Sequence, residues 1–325
     1  MKAITRDRYG APQQILRVQD VPRPVPGDDD VLVRVRAASI NPYDWHFLRG
    51  TPYVARLAAS GLRRPKHRIL GSDAAGQVEA VGSRVRRFRP GDEVFGLVEH
   101  GGLAEYVCVS EQVLGLKPSR LTFEQAAAVP LAGTTALQGL RDAGHLEPAQ
   151  KVLIIGASGG VGTFAVQIAR AFGAHVTGVC STRNLDLVRS LGANHVIDYT
   201  REDVARGGDT YDLIFQLAGT ASSSELRRAL AARGTLVLSS GDSTNALIGP
   251  LGRIMEALVL STVVSQTLRP FLAKPRAQDL TILAELIDAG KVSPVIDRTY
   301  ALAEAPEALR YLEQGHARGK VVISA

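Results

Sequence analysis

KVLIIGASGGVG, Lys151 to Gly162, is the stretch on which the reading of this chain turns. An apolar run, Val152 to Ile155, breaks into Gly156-Ala157-Ser158-Gly159-Gly160-Val161-Gly162, and an amphipathic pattern then continues to Phe172. A strand that ends in glycines and opens a helix is the setting of a dinucleotide-binding turn. Glycines let the backbone approach a pyrophosphate, which the first N–H groups of the helix and its positive end then bind. Working outward, HVTGVC (His175–Cys180) predicts a second strand and Asn184–Leu191 a second helix. HVIDY, DLIFQLAG, SELRRALA and GTLVLSS continue the alternation. This spacing predicts parallel strands joined by right-handed crossovers, a doubly wound α/β sheet over roughly 152–265.

The end of the second strand speaks to which dinucleotide is bound. NAD enzymes commonly place an acid there, where it accepts hydrogen bonds from the ribose 2′-hydroxyl. Here the chain reads Cys180-Ser181-Thr182-Arg183-Asn184, with no acid. Ser181 and Arg183 suit a 2′-phosphate, which a carboxylate would repel. NADPH is therefore the expected cofactor. The ends of later parallel strands fall in the same crevice, which adds Leu217, Ser240 and Gly241 as expected contacts.

The chain has 325 residues, room for roughly two domains. Its 45% apolar and 22% charged content excludes disorder, collagen and coiled coil as overall descriptions. The net charge of +6 allows a nucleic-acid partner, but no basic stretch interleaved with stacking aromatics accompanies it. Two distant cysteines, Cys108 and Cys180, make neither a disulfide framework nor a cysteine zinc site. The N-terminus lacks the apolar core of a signal peptide. The apolar, charge-free candidate Ala257–Leu268 is broken by Ser and Thr and falls short of the ~20 residues that span a bilayer. A cytoplasmic, reduced protein without a membrane partner is the expectation.

The first ~120 residues read as β-rich, an estimate from period-2 patterning. VLVRVRAASI (Val31–Ile40) alternates apolar and charged residues, which sends Arg34 and Arg36 to solvent. Gly71–Val81, Asp92–Leu97 and Ala104–Val109 predict further short strands, and the basic clusters Arg63–Arg68 and Arg84–Arg89 read as solvated loops. Near the end, TILAELIDAG predicts a helix stopping at Gly290, and VSPVIDRTYAL and KVVISA predict strands that return to the first domain. The expected domains are 1–122 with 266–325, and 123–265.

Further motifs carry a family resemblance. They are Ser39-Ile40-Asn41-Pro42-Tyr43-Asp44-Trp45, Gly71-Ser72-Asp73-Ala74-Ala75-Gly76, Pro90-Gly91-Asp92-Glu93-Val94, Gly101-Gly102-Leu103-Ala104-Glu105-Tyr106, and the closing Gly315-His316-Ala317-Arg318-Gly319-Lys320. With the glycine loop they resemble the medium-chain dehydrogenase/reductase superfamily, and within it the zinc-free quinone oxidoreductases, over nearly the whole chain. The resemblance implies a GroES-like β-barrel domain completed by the chain's end, a Rossmann cofactor domain, and a cofactor in the cleft between them. Zinc alcohol dehydrogenases of this superfamily hold catalytic zinc through a Cys in the first motif and a His-Glu pair in the second. Asn41 stands at the Cys position, and Ser72 and Asp73 stand at the pair. Zinc takes three or four Cys, His or carboxylate ligands, so no metal site is expected.

Without a Lewis acid, reduction of an electron-poor quinone or α,β-unsaturated carbonyl is easier than oxidation of an unactivated alcohol. The cofactor carries the hydride, and the protein supplies positioning and donors for the oxygen on which charge grows. The resemblance implies that Asn41 lies near the nicotinamide, that His46 takes a position where several relatives carry Tyr, that Thr135 touches the nicotinamide side, and that Tyr199 flanks the 2′-phosphate or adenine. Tyr43 is a further possible donor. His67, His100, His145, His175, His195 and His316 show no consistent ligand spacing and receive no role. Two rival readings remain open: an enoyl-thioester or polyketide-type enoyl reductase, and a non-catalytic NADPH-binding or RNA-binding protein. Many relatives are homodimers, which extends that expectation to this chain.

Overall fold

Alternating apolar residues become strands wherever a neighbouring strand takes up their backbone groups, and among the described residues two large, unlike sheets and the small antiparallel pair of Lys2–Thr5 with Arg17–Asp20 result. The computed structural model describes residues 1–53, 56, 61–204, 208–239, 251–261 and 264–325. Along the chain the strands are β1 Lys2–Thr5, β2 Arg17–Asp20, β3 Asp30–Ile40, β4 Asp73–Val81, β5 Glu93–Leu97, β6 Tyr106–Ser110, β7 Leu114–Leu116 and β8 Lys151–Ile155. They continue with β9 His175–Cys180, β10 His195–Asp198, β11 Tyr211–Gln216, β12 Leu230–Leu238, β13 Thr267–Pro270, β14 Ile296–Ala301 and β15 Lys320–Ser324. The helices are α1 Pro12–Ile15, α2 Pro42–Arg49, α3 Phe123–Ala127, α4 Pro130–Gln138, α5 Gly160–Ala171, α6 Leu185–Ser190, α7 Ser223–Leu226, α8 Leu251–Ser261, α9 Ala277–Asp288 and α10 Ala305–Glu313.

The first unit comprises Met1–Thr134, Pro275–Gly290 and Pro294–Ala325. Its seven-stranded sheet runs in the order β14-β15-β3-β4-β5-β7, with β6 also paired to β3. Neighbours are antiparallel except β14 and β15. β3 organises it. Val31, Val33 and Val35 enter one core cluster with Val78, Phe88, Val94 and Leu114. Arg34 and Arg36 face solvent, as the alternation predicts. The second half of β3 is buried on both faces, with Ala38 and Ile40 packed against Leu48, Leu309, Val321 and Ile323. β15 is antiparallel to β3 and pairs Val321 with Ile40 and Val322 with Ser39. The end of the chain is thus inserted beside the first motif.

The second unit, Thr135–Lys274 with Lys291–Ser293, is built on a six-stranded parallel sheet in the order β10-β9-β8-β11-β12-β13. The order reverses between β8 and β11, and ligands of such sheets bind at the carboxyl ends of the strands at that point. Its core gathers Leu153, Val179, Ile214, Leu226, Leu236 and Leu268. The sheet extends one strand past the 152–265 expectation: β13 pairs with β12 in parallel, Leu236 opposite Leu268. That pairing keeps residues up to Lys274 in the second unit. At the other boundary the first unit continues beyond residue 122, because α3 packs on β3 and β4 and the Leu131 N–H donates to Asp73 Oδ1 at 2.9 Å. Among the described residues no helix is long and apolar enough to cross a membrane.

Candidate active site

The glycine loop has the geometry its sequence implies. Gly156 ends β8 with φ +88°, a left-handed conformation that costs glycine nothing. A Cβ on Gly162 would stand 2.1 Å from the Gly156 carbonyl oxygen and 2.7 Å from the Ala157 Cα. The first turn of α5 therefore lies directly on the loop, and Gly159 caps the helix with extended backbone. α5 buries Phe164, Ala165, Val166 and Ile168 from its first turn onward.

A polar link that the residue pattern did not announce ties this loop to the next strand. The Asn184 Nδ2 donates to Ser158 Oγ at 2.9 Å and to Ser181 Oγ at 3.3 Å. Asn184 is buried, and its Oδ1 is a buried acceptor without a hydrogen-bond partner. A loop that requires glycine at Gly156 and Gly162, an orphaned acceptor beside it and a helix N-terminus together fit a dinucleotide. Of the expected contacts, Gly156 to Gly162 form this loop, Ser181 accepts from Asn184 beside it, and Leu217 lies at the switch point with its N–H donating to Ile155 O at 3.0 Å. Arg183 and Tyr199 are exposed, on the short 3-10 turn after β9 and just past β10. Thr135 is buried within α4. Ser240 and Gly241 lie outside the described residues.

The absence of an acid at the end of β9 is only part of the local charge picture. Asp198 ends β10, next to β9 in the sheet, and its carboxylate accepts from Thr182 Oγ1 at 2.5 Å and from Thr200 Oγ1 at 2.7 Å. Those hydroxyl bonds hold the carboxyl below the usual carboxylate range. Arg201 answers it from 3.7 Å. The expected 2′-phosphate position thus has a carboxylate nearby whose lone pairs are already committed.

In the first unit, Asn41 starts α2 at a buried polar cluster. Its backbone N–H donates to Asp44 Oδ2 at 2.8 Å, half of a capping box. Its side-chain Nδ2 donates to Ser72 Oγ and to Asp73 Oδ2, both at 2.9 Å, and its Oδ1 accepts from the Lys320 ammonium. Ser72 Oγ in turn donates to Asp44 Oδ2 at 3.0 Å, and the Gly71 N–H donates to Asp44 Oδ1 at 3.1 Å. Asp73 also accepts from Ser39 Oγ at 2.9 Å and lies 3.3 Å from Lys320 Nζ. Burial pushes the Asp44 carboxyl up to about 6, against the hydrogen bonds from Asn41, Ser72 and Gly71 and with a further push from Asp73.

A second buried cation stands behind α2. Arg6 is 2% exposed; its Nε donates to His67 O at 3.2 Å and its guanidinium also donates to Phe47 O. Burial pulls it down to about 10, so it stays charged at neutral pH. Arg6→Met leaves those carbonyls unsatisfied and should destabilise the protein by about 2 kcal/mol, read as a lower urea midpoint at unchanged m-value.

The two donors on α2 occupy different settings. The Tyr43 ring packs on Phe47 with centroids 4.3 Å apart, and His100 lies 5.9 Å away. Burial, helped by Glu99 and Asp44, pushes the Tyr43 phenol up to about 12. His46 stacks on Trp45 at 3.7 Å, and its Nδ1 bonds to Thr51 O at 3.1 Å. A carbonyl only accepts, so Nδ1 carries a proton. His67 and His100, given no role by their spacing, stack on each other at 4.0 Å. Burial, then His67 and Arg6, pull His100 down to about 4.

The positions that hold zinc in the alcohol dehydrogenases therefore offer an amide, a hydroxyl and one carboxylate, with an ammonium already against the amide and the carboxylate. That donor set does not fit zinc. Among the described residues, no group of three or more His, Cys, Asp or Glu is arranged to hold a metal.

The comparisons with known proteins agree with this architecture. The alcohol dehydrogenase GroES-like domain matches residues 27–119, and the zinc-binding dehydrogenase domain matches residues 191–323. A chloroplast envelope quinone oxidoreductase homolog of Arabidopsis thaliana is 34% identical over 99% of this chain and 98% of its own length. The chain is a quinone-oxidoreductase-like member of the medium-chain dehydrogenase/reductase superfamily. Among solved structures, the quinone oxidoreductase from Coxiella burnetii superimposes with TM-score 0.86 at 33% identity, covering 100% of this chain and 99% of that one. The Escherichia coli quinone oxidoreductase complexed with NADPH superimposes with TM-score 0.84 at 26% identity, covering 100% of both chains. This family member is an oxidoreductase with a GroES-like domain and a Rossmann-type domain.

Proposed function

We propose that this oxidoreductase uses NADPH to reduce quinones and α,β-unsaturated carbonyls, without a metal. One observation carries the reading: the cation beside Asn41 and Asp73 is a lysine of the chain itself. Activation of the substrate oxygen then falls to hydrogen-bond donors, and quinones and enones are the carbonyl compounds reactive enough for that. The Escherichia coli relative was solved with NADPH, which supports the cofactor.

The residues that would hold the dinucleotide are Gly156 to Gly162 at the pyrophosphate, Ser181, Arg183 and Tyr199 around the 2′-phosphate, and Leu217 at the switch point. When bound, the nicotinamide supplies hydride to the electron-poor carbon. Tyr43 keeps its proton through the neutral range and can donate to the substrate oxygen as negative charge develops there. His46 has its Nδ1–H fixed on Thr51 O, so its Nε2 carries a proton only in the imidazolium form. Asn41, with its amide committed internally, sets the start of α2.

The test is NADPH oxidation against benzoquinones, naphthoquinones, short enones and enoyl thioesters, with and without EDTA. Turnover of the quinones or enones, unchanged by chelation, is expected. Tight NADPH binding with no turnover of any acceptor would instead identify a binding protein, and activity lost on chelation would refute the metal-free chemistry. Arg183→Glu should weaken NADPH by about 2 kcal/mol, some thirtyfold, and leave NADH within a factor of about two. Equal losses for both cofactors, measured by fluorescence titration, would remove Arg183 from the 2′-phosphate site.

A further inference from the structure

The polar cluster at Asn41 joins residues from four separate stretches of the chain, and its donors and acceptors can be followed one by one. Both N–H bonds of the Asn41 carboxamide are spent, on Ser72 Oγ and Asp73 Oδ2. Ser72 Oγ donates its own hydrogen bond to Asp44 Oδ2. Asp73 Oδ1 accepts from Leu131 N, and its Oδ2 from Ser39, Asn41 and Lys320. The Asn41 Oδ1 accepts from Lys320 Nζ. The Lys320 side chain is 3% exposed and the Asp73 side chain 0%. An ammonium so deeply buried is costly unless paired, and here it is paired with the side chains at two of the positions that bind metal in the zinc enzymes.

We propose that Lys320 is a positioning residue for the reduction assigned above, the resident cation that locks the Asn41 carboxamide and thereby fixes the start of the helix carrying Tyr43 and His46. The register explains how it gets there. β15 pairs Val321 with Ile40, so the next residues along the ladder, Lys320 and Asn41, meet across the strands although 279 positions separate them. Without the ammonium, Asn41 Oδ1 loses its donor, and only the two N–H bonds to Ser72 and Asp73 still hold the carboxamide. The carboxamide is linked through Ser72 Oγ to Asp44, the same carboxylate that accepts from the Asn41 backbone N–H at the start of α2, so a shifted carboxamide disturbs the first turn of the helix and Tyr43 with it. The inference rests on the reductase reading, and its test separates the two.

Lys320→Met is compared with Lys320→Met/Asp73→Asn, which removes both members of the buried pair. The expected result is that Lys320→Met loses stability and that the double variant regains a melting temperature within about 3 °C of the parent. In both, kcat with 1,4-benzoquinone should stay down by about tenfold or more while the NADPH Kd remains within about twofold. A double variant that regains kcat together with stability would overturn the proposal, since Lys320 would then only neutralise Asp73.

A measurement on the parent protein decides the matter if these variants do not fold. With 15N-asparagine labelling, the two Asn41 side-chain protons should exchange slowly and keep their shifts when NADP⁺ and hydroquinone are added. Fast exchange, or a shift on ligand addition, would show a carboxamide free to face the substrate and would overturn the proposal. A parent enzyme inert towards every quinone and enone would sink the reductase reading alone, and the exchange measurement would still decide whether Lys320 holds Asn41.

Discussion

Gly162→Val should weaken cofactor binding by about a hundredfold or more and lower the melting temperature. A Cβ at this position has to share space with the Gly156 carbonyl oxygen, 2.1 Å away, and with backbone atoms of Ala157 under 3 Å away. None of these can swing aside as a side-chain tip would, so either the loop or the first turn of α5 must shift. Overpacking of this kind costs about 3 kcal/mol, a fall of roughly 10 °C for a domain of this size. The same shift pulls the loop N–H groups out of line with a pyrophosphate, and affinity should fall by about a hundredfold or more. Gly159→Ala is the control. There the Cβ meets the same carbonyl at 3.4 Å, an ordinary contact, and the backbone has an ordinary extended conformation. It should fold at the parental temperature; equal destabilisation by both substitutions would contradict the argument.

Asp44→Ala should be the most damaging single change in the first unit. It removes the acceptor for Asn41 N, Gly71 N and Ser72 Oγ at once, in a place that water does not reach. Orphaned buried donors cost about 1–3 kcal/mol each, so a loss of roughly 4 kcal/mol is expected after some relaxation. Asp44 also makes stability depend on pH in an uncommon direction. Its carboxyl is pushed up to about 6 from the model-peptide value of 3.8, first by burial. Between those values the folded protein keeps a proton that the unfolded chain has released. The native state therefore binds more protons, and stability falls as pH rises through this window. The shift corresponds to about 3 kcal/mol. Measured against Asp44→Asn, which does not titrate there, the parent should lose about that much between pH 4 and pH 7. A difference that is flat or rises with pH would show that the charged form is well solvated.

Legibility differed between the two units for a physical reason. Around Gly156 the signals are local: an apolar run, glycines and an amphipathic helix lie within a score of residues, and each reports its own structure. The solvent-facing arginines of β3 were legible in the same way. β13 was not, because Thr267–Pro270 is four residues long, ends in proline and looks like loop until β12 pairs with it. Asn184 read as the polar start of a helix, and only the fold brings its amide between Ser158 and Ser181. Asp198 ends β10 and Thr182 lies just past the end of β9, and parallel pairing of the two strands makes them neighbours.

Periodicity and the glycine spacing were enough to define the doubly wound sheet and its dinucleotide-type loop, and the family resemblance marked Asn41, Ser72 and Asp73 as standing where the zinc enzymes carry their ligands. Only the tertiary structure decided what occupies that place instead. Lys320 opens a plain apolar strand and carries no local mark of burial. Its role comes from antiparallel pairing with β3, which brings an ammonium to an amide and a carboxylate where solvation is lost and only direct contacts can hold the charge.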